Sequence, residues 1–412
     1  MVSSWKMKSQ QSSGSLQVSL AAEFISGNAD LLGEILLRLP ARSLVKFKCV
    51  SKLWLSTISH PHFCRRHARR HSSSGHPTGV FLRTNPNSQD SQYQLLPLNP
   101  ESPPGTLSEC QNFLPHPAGT KILQSCNGLL LCCSVKKIGH SRDFYVFNPT
   151  TRQKAAIPPL GSTSTSSGIT VFGASLAFDP CKSIHYKVVF VRSTDSSSYY
   201  YQIEVYSSDD GAWRLSGSPF VAPFDMVFDN GVFWNGAIHW ISPSGYSLGF
   251  DVEKEQLGTM ISPRVPISRN TGTRRFRYFG GSNGHLHFFE IYGSQTTQFK
   301  VFELERDYSQ WSMKYEVELD SIVQRFPEIV RDHVDPREEK HYYAFVVLLL
   351  VNEGNNDTSM LIHVPGKILS YKISDKSFEK LYEIPPSHSK GYGYLQYGWL
   401  DAYEFMDSLS PV

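Results

Sequence analysis

The sequence is 412 residues long, 40% hydrophobic and 19% charged, with a formal net charge of +3. This composition excludes a mostly disordered chain, and so small a charge excludes a nucleic-acid binder that works through a broad basic surface. The length suits one large repeat-type domain beside a small module, or two to three ordinary domains, with enough chain to bury a large core.

Residues 1–27 are rich in Ser and Gln, and Leu16, Val18 and Leu20 alternate with polar residues. No apolar stretch of signal-peptide type is present there, and the segment is expected to be a flexible leader. From residue 28 the pattern becomes helical. Leu31, Ile35, Leu39, Leu32 and Leu36 fall within an arc of about 140° at 100° per residue. Asn28 or Asp30 can cap this helix, and Pro40 ends it. Ser43 is placed to cap a second short helix carrying Leu44, Val45, Phe47 and Val50. In a third, Trp54, Leu55 and Ile58 share an arc of about 100°, and His60-Pro61 closes it. Three short helices in under 40 residues cannot build a self-sufficient core, so their apolar faces require a surface to pack on.

A basic run follows, Arg65-Arg66-His67-Ala68-Arg69-Arg70-His71. It suits either a nuclear-import signal or a solvated helix end whose cations complement the dipole. Residues 68–79 then read as a linker, with a Ser-Ser-Ser-Gly-His-Pro stretch ending at Pro77.

From Val80 the pattern changes to strands and turns. A short apolar strand ending in an aromatic, then a polar turn and a second strand, recurs approximately. The aromatics Phe147, Tyr206, Phe250, Phe302 and Tyr371 are separated by 59, 44, 52 and 69 residues. This irregular spacing brackets the roughly 40–50 residues of a propeller blade. The Tyr206 and Phe302 copies lead on to Trp213 and Trp311. Asn127-Gly128, Asn230-Gly231, Asn235-Gly236 and Asn283-Gly284 predict tight hairpins, because both central positions of a type I′ turn need positive φ. The fold class expected is α+β in two parts. A small three-helix module precedes an all-β domain at 80–405, a β-propeller or, because the spacing is uneven, an irregular β-sandwich pair.

The helical residues carry a resemblance. Asp30-Leu31-Leu32-Gly33-Glu34-Ile35-Leu36-Leu37-Arg38-Leu39-Pro40, Ser43-Leu44, Phe47-Lys48-Cys49-Val50-Ser51-Lys52-Leu53-Trp54, Ile58 and Pro61-His62-Phe63 resemble a plant-type F-box. Asn28-Ala29 stand where many F-boxes have Leu-Pro. The resemblance implies an F-box at 28–67 that docks on a Skp adaptor and, through it, joins cullin and RING subunits. The contact residues it implies are Leu31, Leu32, Ile35, Leu36, Leu39, Pro40, Leu44, Phe47, Val50 and Trp54.

Later segments resemble the F-box-associated domain of plant F-box proteins. They are Ser125-Cys126-Asn127-Gly128-Leu129-Leu130-Leu131-Cys132, Tyr145-Val146-Phe147-Asn148-Pro149-Thr150-Thr151-Arg152, Ala177-Phe178-Asp179-Pro180, Tyr186-Lys187-Val188-Val189 and Gly231-Val232-Phe233-Trp234-Asn235-Gly236-Ala237-Ile238-His239-Trp240. This implies a kelch-like domain that recruits a protein target.

Other motifs are weaker. His285 and His287 would share one face of a strand but lack a third metal ligand at nearby spacing. Arg274-Arg275-Phe276-Arg277 suits either an anion contact or a solvated turn. Tyr392, Tyr394, Tyr397 and Trp399 suit either a partner surface or the closing blade. The seven cysteines, Cys49, Cys64, Cys110, Cys126, Cys132, Cys133 and Cys181, are odd in number and form no CxxC pair, which favours reduced thiols. Asn356-Asp357-Thr358 is a glycosylation acceptor only on a secreted chain. Residues 344–351, the longest apolar run, fall short of the roughly 20 a membrane span needs. Gly245-Tyr246-Ser247-Leu248-Gly249 has G-x-S-x-G spacing, but it runs into the strand copy at Leu248-Gly249-Phe250-Asp251 and not into the helix a serine-hydrolase elbow needs; no zincin, P-loop or dinucleotide fingerprint occurs.

The expected function is the substrate-recognition subunit of an SCF-type E3 ubiquitin ligase, located in cytoplasm or nucleus. No catalytic activity, metal, cofactor, nucleic acid or membrane partner is expected. The alternatives are an F-box scaffold or transcriptional cofactor outside a ligase, and a propeller-based carbohydrate-binding protein or enzyme.

Overall fold

A computed structural model describes residues 28–72, 76–84, 92–98, 108–109, 119–134, 142–160, 169–194, 200–263, 274–282, 284–331, 335, 342–354, 357–384 and 395–412. Four helices come first: α1 (Ala29–Leu36), α2 (Ala41–Phe47), α3 (Lys52–Ser59) and α4 (Pro61–Ser72). Asn28 caps α1, its Oδ1 accepting from the amides of Asp30 and Leu31, both at 3.1 Å. Ser43 does not cap α2. Pro40, with φ −60° and ψ 147°, holds the extended geometry from which the helix starts at Ala41, and this leaves Ser43 inside the first turn. Ser51 caps α3 instead, accepting from the Trp54 amide at 3.2 Å. The basic run is helical throughout, because α4 continues to Ser72, into the stretch that reads from sequence as linker.

The strands that follow form six four-stranded antiparallel sheets, the blades of a β-propeller. The first is β4 (Thr120–Cys126), β5 (Leu129–Ser134), β6 (Phe144–Asn148) and β7 (Gln153–Ala156). The second is β8 (Val171–Ala177), β9 (Lys187–Ser193), β10 (Tyr201–Ser207) and β11 (Ala212–Phe220). The third is β12 (Val232–Trp234), β13 (Ala237–Ile241), β14 (Ser247–Asp251) and β15 (Gln256–Thr259). The fourth is β16 (Arg274–Ser282), β17 (His285–Tyr292), β18 (Gln298–Leu304) and β19 (Trp311–Glu318). The fifth is β20 (Val346–Gly354), β21 (Asp357–Val364), β22 (Lys367–Lys372) and β23 (Phe378–Glu383). The sixth joins the two ends of the domain: β24 (Ala402–Phe405) pairs antiparallel with β1 (Gly79–Thr84), with Gly79 opposite Phe405, and β2 (Gln92–Pro97) and β3 (Ser108–Glu109) complete it. This closure joins the two ends of the domain within one blade, and the blades keep only short edge strands.

The five recurring aromatics all lie on the third strand of their blades. Trp213 and Trp311 stand at or next to the first position of the fourth strands. Each indole donates to a carbonyl just past the preceding blade, Pro158 and Ile261 respectively, at 2.8 Å. Successive strand residues point to opposite sides of a blade, so each blade fills two cores. Val188 and Phe190 pack against the first blade, and Val189 and Val191 against the third. Every neighbouring pair of blades encloses such a cluster.

Two of the expected Asn-Gly hairpins form, with φ 47° and 90° at Asn127-Gly128 and 50° and 82° at Asn235-Gly236. Asn230-Gly231 is no hairpin. Asn230 ends a 3-10 turn, and a Cβ on Gly231 would stand 2.3 Å from Ser175 Oγ and 2.7 Å from Trp240 Nε1, so close packing requires this glycine. Asn283 lies outside the described residues. A short helix α5 (Asp320–Arg325), not expected from sequence, sits between the fourth and fifth blades.

Candidate docking surfaces

The helical module has two apolar faces. Leu32, Leu36, Leu37, Leu44, Ile58 and Phe63 form its core. Leu31 and Ile35, one position away from Leu32 and Leu36 in the chain, are 42% and 44% exposed, and Val50 is 58% exposed. The 140° arc on α1 is therefore divided between an inner and an outer face. Of the residues implied as adaptor contacts, Leu32, Leu36 and Leu44 are buried in the module itself, and Leu31, Ile35, Pro40 and Val50 face solvent. Leu39, Phe47 and Trp54 lie between, half-buried, with the Phe47 and Trp54 rings edge to face at 5.5 Å. Leu53 and Leu55 are also exposed. The apolar arc of α3 flags Leu55 in the sequence, whereas no sequence signal singles out Leu53.

The inner face is completed by distant chain. Leu409 inserts into the helical core, and Cys64 Sγ stands 3.5 Å from the Leu409 carbonyl. Arg42 pairs with Asp407 at 3.0 Å and lies over the Phe405 ring. The same tail is fixed to the first blade, where Asn148 Nδ2 donates to the carbonyls of Ser408 (3.1 Å) and Ser410 (2.8 Å). The Asn127-Gly128 turn leaves room for it, since a Cβ on Gly128 would meet Ser408 Cβ at 2.5 Å.

The basic run supports this joint. His67 and His71 point inward and donate to the carbonyls of Leu39 (2.9 Å) and Leu37 (3.1 Å) at the end of α1, where the helix leaves acceptors unfilled. Burial holds His67 down to about 4, so its ring stays neutral. Arg66 pairs with Glu34, and Arg69 donates to the Cys181 carbonyl of the second blade at 2.8 Å. A central cavity of about 1090 Å³ runs between the inner strands, and Cys64, His67 and His71 line it where the helices meet the propeller.

The other motifs are accounted for by local partners. His285 and His287 share one carboxylate, Glu303, at 2.9 Å and 3.4 Å, with Lys314 on the same group. Among the described residues no group of three or more His, Cys, Asp or Glu side chains is arranged to hold a metal ion. Arg274 and Arg277 converge on Glu290, and Arg275 donates to the carbonyls of Ser294 and Thr296. Tyr397 is buried against the closing blade and donates to Gln94 Oε1 at 2.9 Å. Tyr392, Tyr394 and the Trp399 side chain lie outside the described residues. The described cysteines are free thiols, and no described helix is long and apolar enough to cross a membrane.

Comparison with known proteins matches both parts. Residues 29–66 match the F-box domain. Residues 100–334 match the family described as F-box protein At3g26010-like, beta-propeller. The chain is 32% identical to F-box protein At5g07610 of Arabidopsis thaliana over 413 aligned positions, covering 96% of this chain and 94% of that one. It is 27% identical to F-box protein CPR1 of the same plant, over 52% of this chain and 53% of that one. It is likewise 27% identical to F-box only protein 8 from Arabidopsis thaliana, over 57% of this chain and 79% of that one.

Proposed function

This chain belongs to the F-box proteins that carry a C-terminal β-propeller, and from that premise we propose that it is the substrate-recognition subunit of an SCF-type ubiquitin ligase. In this reading the helices bind a Skp adaptor, which brings cullin and RING subunits, and the propeller holds a protein target for ubiquitination. The chain itself carries out no catalysis. In this reading the propeller is of the kelch-like kind.

The observation that carries the reading is the divided apolar surface of the helices. Their inner face is already occupied by Leu409 and α4, yet Leu31, Ile35, Val50, Leu53 and Leu55 remain exposed on α1, α3 and the turn between α2 and α3. Solvent-facing apolar residues concentrated on so small a module mark a protein interface. These outward residues, with Leu39, Pro40, Phe47 and Trp54 beside them, are the direct contacts, and Leu32, Leu36 and Leu44 support them from beneath.

Co-purification with recombinant Skp adaptor tests this reading. The wild-type chain should bind, and Leu31→Asp with Ile35→Asp should abolish binding while leaving the thermal midpoint within a few degrees. Retained binding in that double variant would remove the docking surface assigned here. Proximity labelling with and without proteasome inhibition then addresses the ligase role. A labelled protein should accumulate on inhibition and carry ubiquitin only when the adaptor face is intact.

A further inference from the structure

The central cavity holds a carboxyl group for which the described residues supply no partner. Glu404 lies on β24, the innermost strand of the sixth blade, opposite Val80. It is half-buried, and the part of it that protein leaves uncovered faces the cavity. Ser125 donates to its main-chain carbonyl at 2.6 Å, but among the described residues no hydrogen bond or ion pair reaches its carboxyl group. A carboxyl group inside a protein is ordinarily paired. The cations on the cavity wall sit at its two ends, Lys182 and Arg306 beside α4 and the tail, Arg83 and Lys121 at the other. Arg83 already stands 3.9 Å from Asp401, and Lys182 3.6 Å from Asp179. None of the four bears on Glu404, whose carboxyl group burial alone pushes up to about 7.

The wall beside this group is apolar and its bore is wide. The next inner strands in the ring of blades, β20 and β16, contribute Leu348, Leu349, Gly280 and Gly281. A Cβ on Gly280 would stand 2.7 Å from Tyr278 Oη, so the glycine lets that phenol lie along the wall. Burial and then the Glu404 charge push the phenol above its ordinary value, which places the carboxyl group and the hydroxyl in one part of the cavity. The volume of about 1090 Å³ matches the upper end of small-molecule sites, roughly 300–1,000 Å³. An anion without a counterpart, set beside leucines in a space of this size, suits a ligand with a cationic head and an apolar stem.

We propose that the central cavity binds a primary ammonium carried on an apolar stem, with the Glu404 carboxylate as its counter-ion and Leu348 and Leu349 against the stem. Two sources share this chemistry: a free alkylamine, and the side chain of a target lysine reaching into the propeller. Only the second rests on the substrate-recognition reading above. Adaptor docking is separate from both, because α4 enters the site only as the lining of one end of the cavity.

The test measures binding of n-hexylamine, n-hexanol and Nα-acetyl-lysine N-methylamide to the full chain by saturation-transfer NMR, in a buffer free of other amines. Wild type, Glu404→Gln and Gly281→Leu are compared, with thermal midpoint and adaptor co-purification recorded for each. Hexylammonium should bind the wild type and bind Glu404→Gln about tenfold or more weakly. That exchange keeps the shape of the side chain, and a neutral group suits the site, so the fold should hold. Hexanol should bind these two forms alike. Gly281→Leu puts a side chain into the cavity, where a Cβ meets nothing nearer than Val232 at 3.7 Å, and should weaken both ligands. Equal hexylammonium binding to wild type and Glu404→Gln, hexanol binding the wild type as tightly as hexylammonium, or no hexylammonium binding would each overturn the proposal. Glu404-dependent binding of the lysine derivative assigns the site to a target side chain. Glu404-dependent binding of hexylammonium alone assigns it to a free amine, and both results uphold the ammonium site. Adaptor co-purification is read separately, so its failure in the wild type counts against the docking reading and not against this one.

Discussion

Cys64 of the fourth helix and Leu409 near the C-terminus are 345 residues apart in sequence, yet the thiol stands 3.5 Å from the Leu409 carbonyl and both side chains lie in one apolar core. The helical module thus finishes its core with a residue delivered by the propeller's last strand. The helices are fixed to the propeller through this joint as well as through the residues that connect them in sequence. Replacing Leu409 by Ala removes a buried side chain from the module, and such changes cost about 2–5 kcal/mol. Hydrogen exchange should show α1 and α4 losing protection while the first to fifth blades keep theirs. Uniform loss across both parts, or no loss, would contradict the joint.

Asn148 fixes the other side of the same tail. It is fully buried, and its amide nitrogen serves two tail carbonyls while its oxygen accepts from the amides of Thr150 and Thr151. Asn148→Leu keeps the size and leaves those groups without partners, at about 1–3 kcal/mol each where no water reaches them. The thermal midpoint should fall by several degrees, and protease cleavage near residue 407 should appear before cleavage within the blades.

Ile35 and Leu36 are adjacent and should behave oppositely. Ile35→Asp removes an exposed side chain, and its effect should appear in adaptor affinity, which should weaken at least tenfold at unchanged stability. Leu36→Asp places a charge in the core and should lower the thermal midpoint sharply, with adaptor binding lost through unfolding. Equal effects on stability would contradict the assignment of the two faces.

Acid should destabilise the fold. Burial holds His67, His239 and His363 down to about 4 from an ordinary value of 6.5. A histidine shifted this way contributes its full stability above pH 6.5 and loses it as pH falls toward 4, because the unfolded chain takes up the proton first. Burial pushes Glu404, on the cavity wall, up to about 7 from 4.5, and this acts in the opposite sense. Its contribution is complete below pH 4.5 and is lost as pH rises toward 7. His285 is shifted down in the same way and Asp401 is pushed up like Glu404, so the lowered histidines outnumber the raised carboxylates and the unfolded chain binds more protons over the shared window. The urea midpoint should therefore be lower at pH 5 than at pH 6.5. An equal or higher midpoint at pH 5 would contradict the neutral state of these histidines.

Local spacing in the chain is enough to place α1, the His60-Pro61 stop, and the third strand of five blades through Phe147, Tyr206, Phe250, Phe302 and Tyr371. These follow from periodicity and backbone sterics, which act between neighbours in sequence. Local spacing does not settle the choice of Asn28 over Asp30 as cap or the end of α1 at Leu36, four residues before Pro40. The blade number does not follow, because loops of unequal length stretch the repeat to between 44 and 69 residues and the sixth blade is assembled from both ends of the domain. Asn230-Gly231 has hairpin composition, but its glycine is required by Ser175 and Trp240, which only packing brings near.

The docking face shows the same division most clearly. The apolar wheel of α1 establishes that the helices need partners. It does not separate Leu31 and Ile35 from Leu32 and Leu36, since all four lie on one broad arc. That choice is made by Ala41 and Leu44 of α2, Ile58 of α3, Phe63 and Cys64 of α4, and Leu409, which together cover one side of the arc and leave the other to solvent. Sequence determines which surfaces are apolar because that depends on local composition and period. Tertiary structure decides which of them stay exposed, because burial depends on segments hundreds of residues away.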